Sequence, residues 1–116
     1  MNSYLAIFTG SPAAMDEWNA LPESAREERA KRGVAAWRAW AEKHRASIVE
    51  GGGPLGRTKR ITGDSIIDIR NHMGAFVVVR AESHEMAARM FVDHPHFTFF
   101  PGDGVEVMQV LPVPSG

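Results

Sequence analysis

Two short segments, Tyr4–Thr9 and Ala75–Ala81, are apolar on both faces, and this limits what the chain can become. Successive side chains of a strand point to opposite sides. Tyr4, Ala6 and Phe8 therefore oppose Leu5 and Ile7 in the first segment, and Phe76 and Val78 oppose Ala75, Val77 and Val79 in the second. A sheet with one wet face alternates apolar with polar residues. These strands do not, and a chain of 116 residues is one domain whose helices can cover one face only. The pattern predicts helices on one side of the sheet and a second copy of the chain on the other, a homodimer joined sheet to sheet.

The remaining elements follow from turn and helix signals. Gly10 closes the first strand, and Ser11-Pro12 can cap a short helix over about Ala13–Asn19, which Leu21-Pro22 interrupts. A longer helix is expected from Glu23 to about Ala46. It is supported by the i,i+4 pairs Glu27–Lys31, Glu28–Arg32 and Arg38–Glu42. Its apolar stripe runs Val34, Trp37, Ala41 and Ile48 with His44 alongside, and Gly33 marks a kink or a join. Gly51-Gly52-Gly53-Pro54 stops it. Leu55–Thr62, a turn at Gly63-Asp64 and Ser65–Ile69 read as a strand and its partner. After Ala75–Ala81, Ser83 starts a second helix to about Asp93, with Met86, Ala87, Met90 and Phe91 buried and Pro95 ending it. Phe97–Phe100 is an aromatic stretch, Pro101–Gly104 a turn and Val105–Leu111 the last strand. The order β-α-β-(β)-β-α-β is the split βαβ motif, a ferredoxin-like α+β fold with helices on one face of an antiparallel sheet, expected as a single domain over residues 1–116.

Composition excludes several function classes. Thirteen Lys and Arg stand against fourteen Asp and Glu, for a net charge of -1, so no basic footprint for nucleic acid or anionic membrane is present. The absence of cysteine excludes disulfides, thiolate catalysis and Cys-ligated metal centres. No run approaches the ~20 apolar residues of a membrane span. The opening residues lack the basic flank and length of a secretory signal. A cytoplasmic protein with no nucleic-acid or membrane partner is the expectation.

Several short motifs resemble the YCII-related family, small proteins of the dimeric α+β barrel type. They are Phe8-Thr9-Gly10, Gly52-Gly53-Pro54-Leu55, the strand Gly74–Ala81, Ala81–Ala87 at the entry to the second helix, His94-Pro95 at its exit, and Val105-Glu106-Val107. The resemblance spans nearly the whole chain and implies that fold and a dimer. Some relatives look like enzymes acting on small organic molecules, with a His on the first long helix and an Asp just before the second-helix Pro. Here Ala36 and Trp37 stand near the first position and His94 at the second.

Three constellations can carry chemistry. In the extended segment before Met73, Asp68, Arg70 and His72 fall on one side, a carboxylate, a guanidinium and an imidazole that suit an anionic or carbonyl-bearing ligand. The imidazole of His72 is a residue type suited to general acid–base catalysis. The plainer alternative is a solvated strand end with a local Asp68–Arg70 pair. His94 and His96, one residue apart, can line a pocket. They could also chelate a metal with His72 or Asp93 as a third ligand, but so few ligands argue for no metal and no bound cofactor. Trp37, Trp40 and His44 share a helix face that can hold a planar ligand, although such a stripe is usually core. Arg57, Lys59 and Arg60 follow the glycine run without the Lys-Ser/Thr of a phosphate loop, and read as a basic edge that discourages stray strand pairing.

Overall fold

A computed structural model describes residues 1–114; the last two residues of the expected domain lie outside the described residues. In chain order the elements are β1 (Asn2–Thr9), α1 (Pro12–Ala20), α2 (Glu23–Lys43), a 3-10 turn (Arg45–Ser47), β2 (Ile48–Pro54), β3 (Thr58–Thr62), β4 (Ser65–Ile69), β5 (Met73–Ala81), α3 (His84–Arg89), α4 (Pro95–Phe99) and β6 (Gly104–Gln109). Four strands form one sheet in the order β2-β5-β1-β6, every pair antiparallel. With the β3–β4 hairpin set aside, this is the ferredoxin-like order, and the fold is α+β as the strand pattern predicts.

The register decides which face the helices cover. Tyr4 sits opposite Val79, Ala6 opposite Val77 and Phe8 opposite Ala75, and all six are buried. Trp40 of α2, Ala87 of α3 and Phe91 just beyond it close over them. Leu5, Ile7, Phe76 and Val78 make up the opposite face and are half-buried, with no helix over them.

The helix boundaries correct several expectations. α2 ends at Lys43, and Ile48 opens β2 instead of continuing the helical stripe. The glycine run is therefore part of an edge strand, not only a stop; Glu50 pairs with Val78 and Gly53 with Phe76. Glycine is required at Gly52, which takes a φ of 64° and lies where a Cβ would run into the Phe76 carbonyl. Gly33 marks no kink. A Cβ there would come within 2.6 Å of the Phe100 ring and 2.8 Å of Phe99, so the missing side chain lets α2 and α4 approach. Arg29 Nη2 donates to the Thr98 carbonyl at 2.8 Å across the same contact.

The second expected helix is shorter than its pattern, and a separate short helix stands where the aromatic stretch was expected. α3 ends at Arg89 with Met86 half exposed, and Asp93 takes a positive φ of 59°. Pro95 starts α4 instead of ending a helix, because proline needs no amide partner at the first helical position. His94 caps it, its Nδ1 accepting the His96 amide at 3.0 Å.

β3 and β4 form a hairpin arm around the two-residue loop Gly63-Asp64, with Gly63 at φ +61°. Its Ile61 and Ile66 are 65% and 66% exposed. The Cα radius of gyration is 16.0 Å, against about 13 Å for a compact chain of this length, and the extents of 55 × 43 × 18 Å show a flat molecule with a projecting arm.

Candidate functional site

A cleft of about 1720 Å³ lies between α2 and the ends of the sheet. Several parts of the chain wall it, the glycine run of β2 and the first residues of β5 among them. α2 supplies Val34, Trp37 and Arg38; these are i, i+3 and i+4 neighbours and so share one helix face. Val34, expected in the core, is 44% exposed on this wall. The arm and its base supply Arg57, Thr58, Lys59, Asp68 and Ile69, and the approach to β5 supplies Arg70, Asn71 and His72. His96, Phe100 and Pro101 complete it from α4 and the turn beyond.

Asp68, Arg70, His72, Trp37 and His96 thus share one cavity. The Asp68 carboxylate is held not by Arg70 but by Lys59, its cross-strand partner on β3, at 2.7 Å. Both groups are largely exposed, which makes this a weak pair of under about 1 kcal/mol. Arg70 has no carboxylate within ion-pair distance among the described residues. The His72 carbonyl accepts the Gly10 amide at 3.0 Å, tying the start of β5 to the end of β1, while its side chain stays exposed. Nearby, the Ser11 hydroxyl holds the Asp103 carboxyl below its usual range; the Ser11 amide and His72 act in the same direction.

His96 is the buried polar group of the cleft wall. Its Nε2 donates to the Thr9 carbonyl at 2.9 Å, and burial lowers its pKa although the carbonyls of Thr9 and Gly104 and the charge of Asp103 oppose this. A side chain on Gly102 would run into the imidazole, so glycine at that turn is what leaves room for the ring.

His94, Trp40 and His44 are not among the groups lining the cleft. His94 is fully buried in an aromatic nest, with ring centroids 4.9 Å from Phe8, 4.5 Å from Trp37 and 4.5 Å from Trp40. Burial, aided by His96 and then His44, pushes it down to about 4. It is therefore neutral at pH 7. Because Nδ1 accepts the His96 amide, the proton sits on Nε2, which has no hydrogen-bond partner among the described residues. Trp40 Nε1 donates to the Met90 carbonyl at 2.8 Å and packs on His44 at 5.0 Å. Burial lowers the pKa of half-buried His44, with Lys43 adding to it.

Sequence reasoning passed over Arg38 and Phe100 and treated Arg57 and Lys59 as an edge guard only. The signal was the spacing Arg57-x-Lys59 beside Asp68 and Arg70 once the hairpin register is known. Among the described residues no group of three His, Asp or Glu is placed to hold a metal. No described helix is long and apolar enough to cross a membrane.

The fold and cleft define a ferredoxin-like α+β protein with an open cavity at the strand ends. No family model matches the chain, and no curated protein matches it in sequence. Among solved structures it is similar to 5-chloro-2-hydroxyhydroquinone dehydrochlorinase from Burkholderia phenoliruptrix AC1100, in complex with 2,5-dihydroxybenzoquinone. The TM-score is 0.56 with 18% sequence identity over 94% of this chain and 93% of that one, a likeness of fold.

Proposed function

We propose that this protein is a cofactor-independent enzyme of the YCII-related kind, acting on a small organic molecule held in the cleft, with His72 as the proton-transfer group. The observation that carries it is convergence: an imidazole, a carboxylate and a guanidinium from the arm and its link to β5 line one cavity together with Trp37 and His96. An imidazole at an exposed strand end can take a proton from a carbon or oxygen acid and return it, and Arg70 beside it stabilises the oxyanion formed. Asp68, paired with Lys59, orients polar groups of the substrate. The similar dehydrochlorinase, an enzyme, supports this reading, and its ligand is the natural first compound to try. Titration with 2,5-dihydroxybenzoquinone followed by absorbance should show saturable binding that weakens at least ten-fold in His72→Ala. Binding that is equal in the two proteins would remove His72 from the site.

A non-catalytic ligand-binding module is the second reading, favoured by the exposure of Asp68 and His72 in a cleft that does not exclude water. Mass spectrometry of a co-purified compound, before and after incubation with fresh protein, separates the two: conversion marks an enzyme and unchanged mass a binder.

In either reading the chain works as a homodimer, supported by Leu5, Ile7, Phe76 and Val78 on the face no helix covers. Light scattering on a size-exclusion column should give twice the chain mass, and a monomer at micromolar concentration would overturn the dimer.

A further inference from the structure

We infer that the cleft takes an organic anion with a planar apolar body, gripped by the guanidinium groups of Arg38, Arg57 and Arg70; this rests on the reading of the cleft as a small-molecule site and names its ligand class. The first ground is where the charge lies. Of the chain's 13 Lys and Arg, four line the cleft (the three arginines and Lys59), but of its 14 Asp and Glu only Asp68 does. The rest of the molecule is left with nine cations and thirteen carboxylates, so a chain of net charge -1 presents a positive cleft on a negative body. A field arranged this way draws anions to the cavity and concentrates them there.

The second ground is pairing. The one carboxylate in the cleft is already held by Lys59 at 2.7 Å. None of the three arginines has a salt-bridge or side-chain hydrogen-bond partner among the described residues, although the same surface pairs Glu42 with Arg45 and Glu85 with Arg89. A guanidinium offers a planar fork of donors that matches a carboxylate or similar oxyanion in two-point contact. The three come from separate places, α2, the β2–β3 connection and the β4–β5 connection, and face one space. The third ground is the apolar lining: Trp37 and Phe100 place aromatic surface on the wall against which a flat ligand body can pack.

Isothermal titration calorimetry of the full chain with 2-naphthoate and its neutral isostere 2-naphthamide tests this. The anion is expected to bind at least ten-fold more tightly, with the advantage shrinking as salt rises from about 0.05 to about 0.5 M because screening shortens the reach of the charges. In the Arg57→Gln/Arg70→Gln variant, checked for folding by circular dichroism, the two probes should bind alike. Equal binding of both probes to the unaltered protein would overturn the anion inference and leave the small-molecule reading standing. Failure of both to bind at millimolar concentration would overturn both. A salt-independent preference for the anion would also sink the inference, because it would place recognition in shape.

Discussion

Two imidazoles less than thirty residues apart in sequence live in opposite surroundings. His94 is sealed among Phe8, Trp37 and Trp40, spends its Nδ1 capping a helix and is kept neutral. His72 sits exposed just before β5 on the wall of a positive cleft. The first belongs to the architecture and the second is free to meet a ligand. What separates them is the neighbouring aromatic volume, which excludes water from one and not the other.

The comparison is tested hardest at its shared wall. Phe8 is fully buried and packs on Trp37, Phe91, His94 and His96, so Phe8→Ala should cost about 3–5 kcal/mol in urea unfolding. A loss under about 1 kcal/mol would mean the nest is not packed as described.

Acid should unfold the nest next. The folded pKa of His94, about 4, lies below its unfolded value of 6.5, so between the two the unfolded chain holds the extra proton. Stability from this group is present above pH 6.5 and is lost as pH falls toward 4, by up to about 3 kcal/mol, with His96 acting in the same direction. In His94→Asn, whose side-chain oxygen can still cap α4, the pH slope of unfolding should flatten; an unchanged slope assigns it to other groups.

Gly102→Ala places a methyl group against the His96 ring and should cost about 1–3 kcal/mol, with the His96 nuclear magnetic resonance signals displaced. No displacement would show that the turn moves aside instead.

The smallest effect on stability belongs to His72. Replacing this exposed residue with alanine should change unfolding by no more than about 0.5 kcal/mol while weakening ligand binding. A large loss of stability would make His72 architectural after all, and erase the contrast with His94.

The register also sharpens the dimer test. Val77 and Val79 are buried under the helices, so a charge there breaks the fold itself; Val78, on the uncovered face, is the position where Val78→Asp should separate copies and leave the fold standing.

What the sequence determined by itself is what depends on near neighbours. Continuous apolar runs rich in β-branched and aromatic residues, Tyr4–Thr9 and Ala75–Ala81, mark two central strands, Ser11-Pro12 and Ser83 mark helix starts, and Gly63-Asp64 marks the hairpin turn, because each signal lies within a few residues. The grouping of Asp68, Arg70 and His72 at one strand end was legible for the same reason. The tertiary structure decided the rest. Pairing with β5 makes the run Gly51–Gly53 a strand, and no local propensity announces it. Room above Phe8 and a free Nδ1 turn His94-Pro95 into the start of α4, where Pro95 alone reads equally well as a stop. Arg38, Arg57 and Arg70 lie far apart in sequence, and only the packing of α2 beside the strand ends turns three solvated side chains into one cationic cleft.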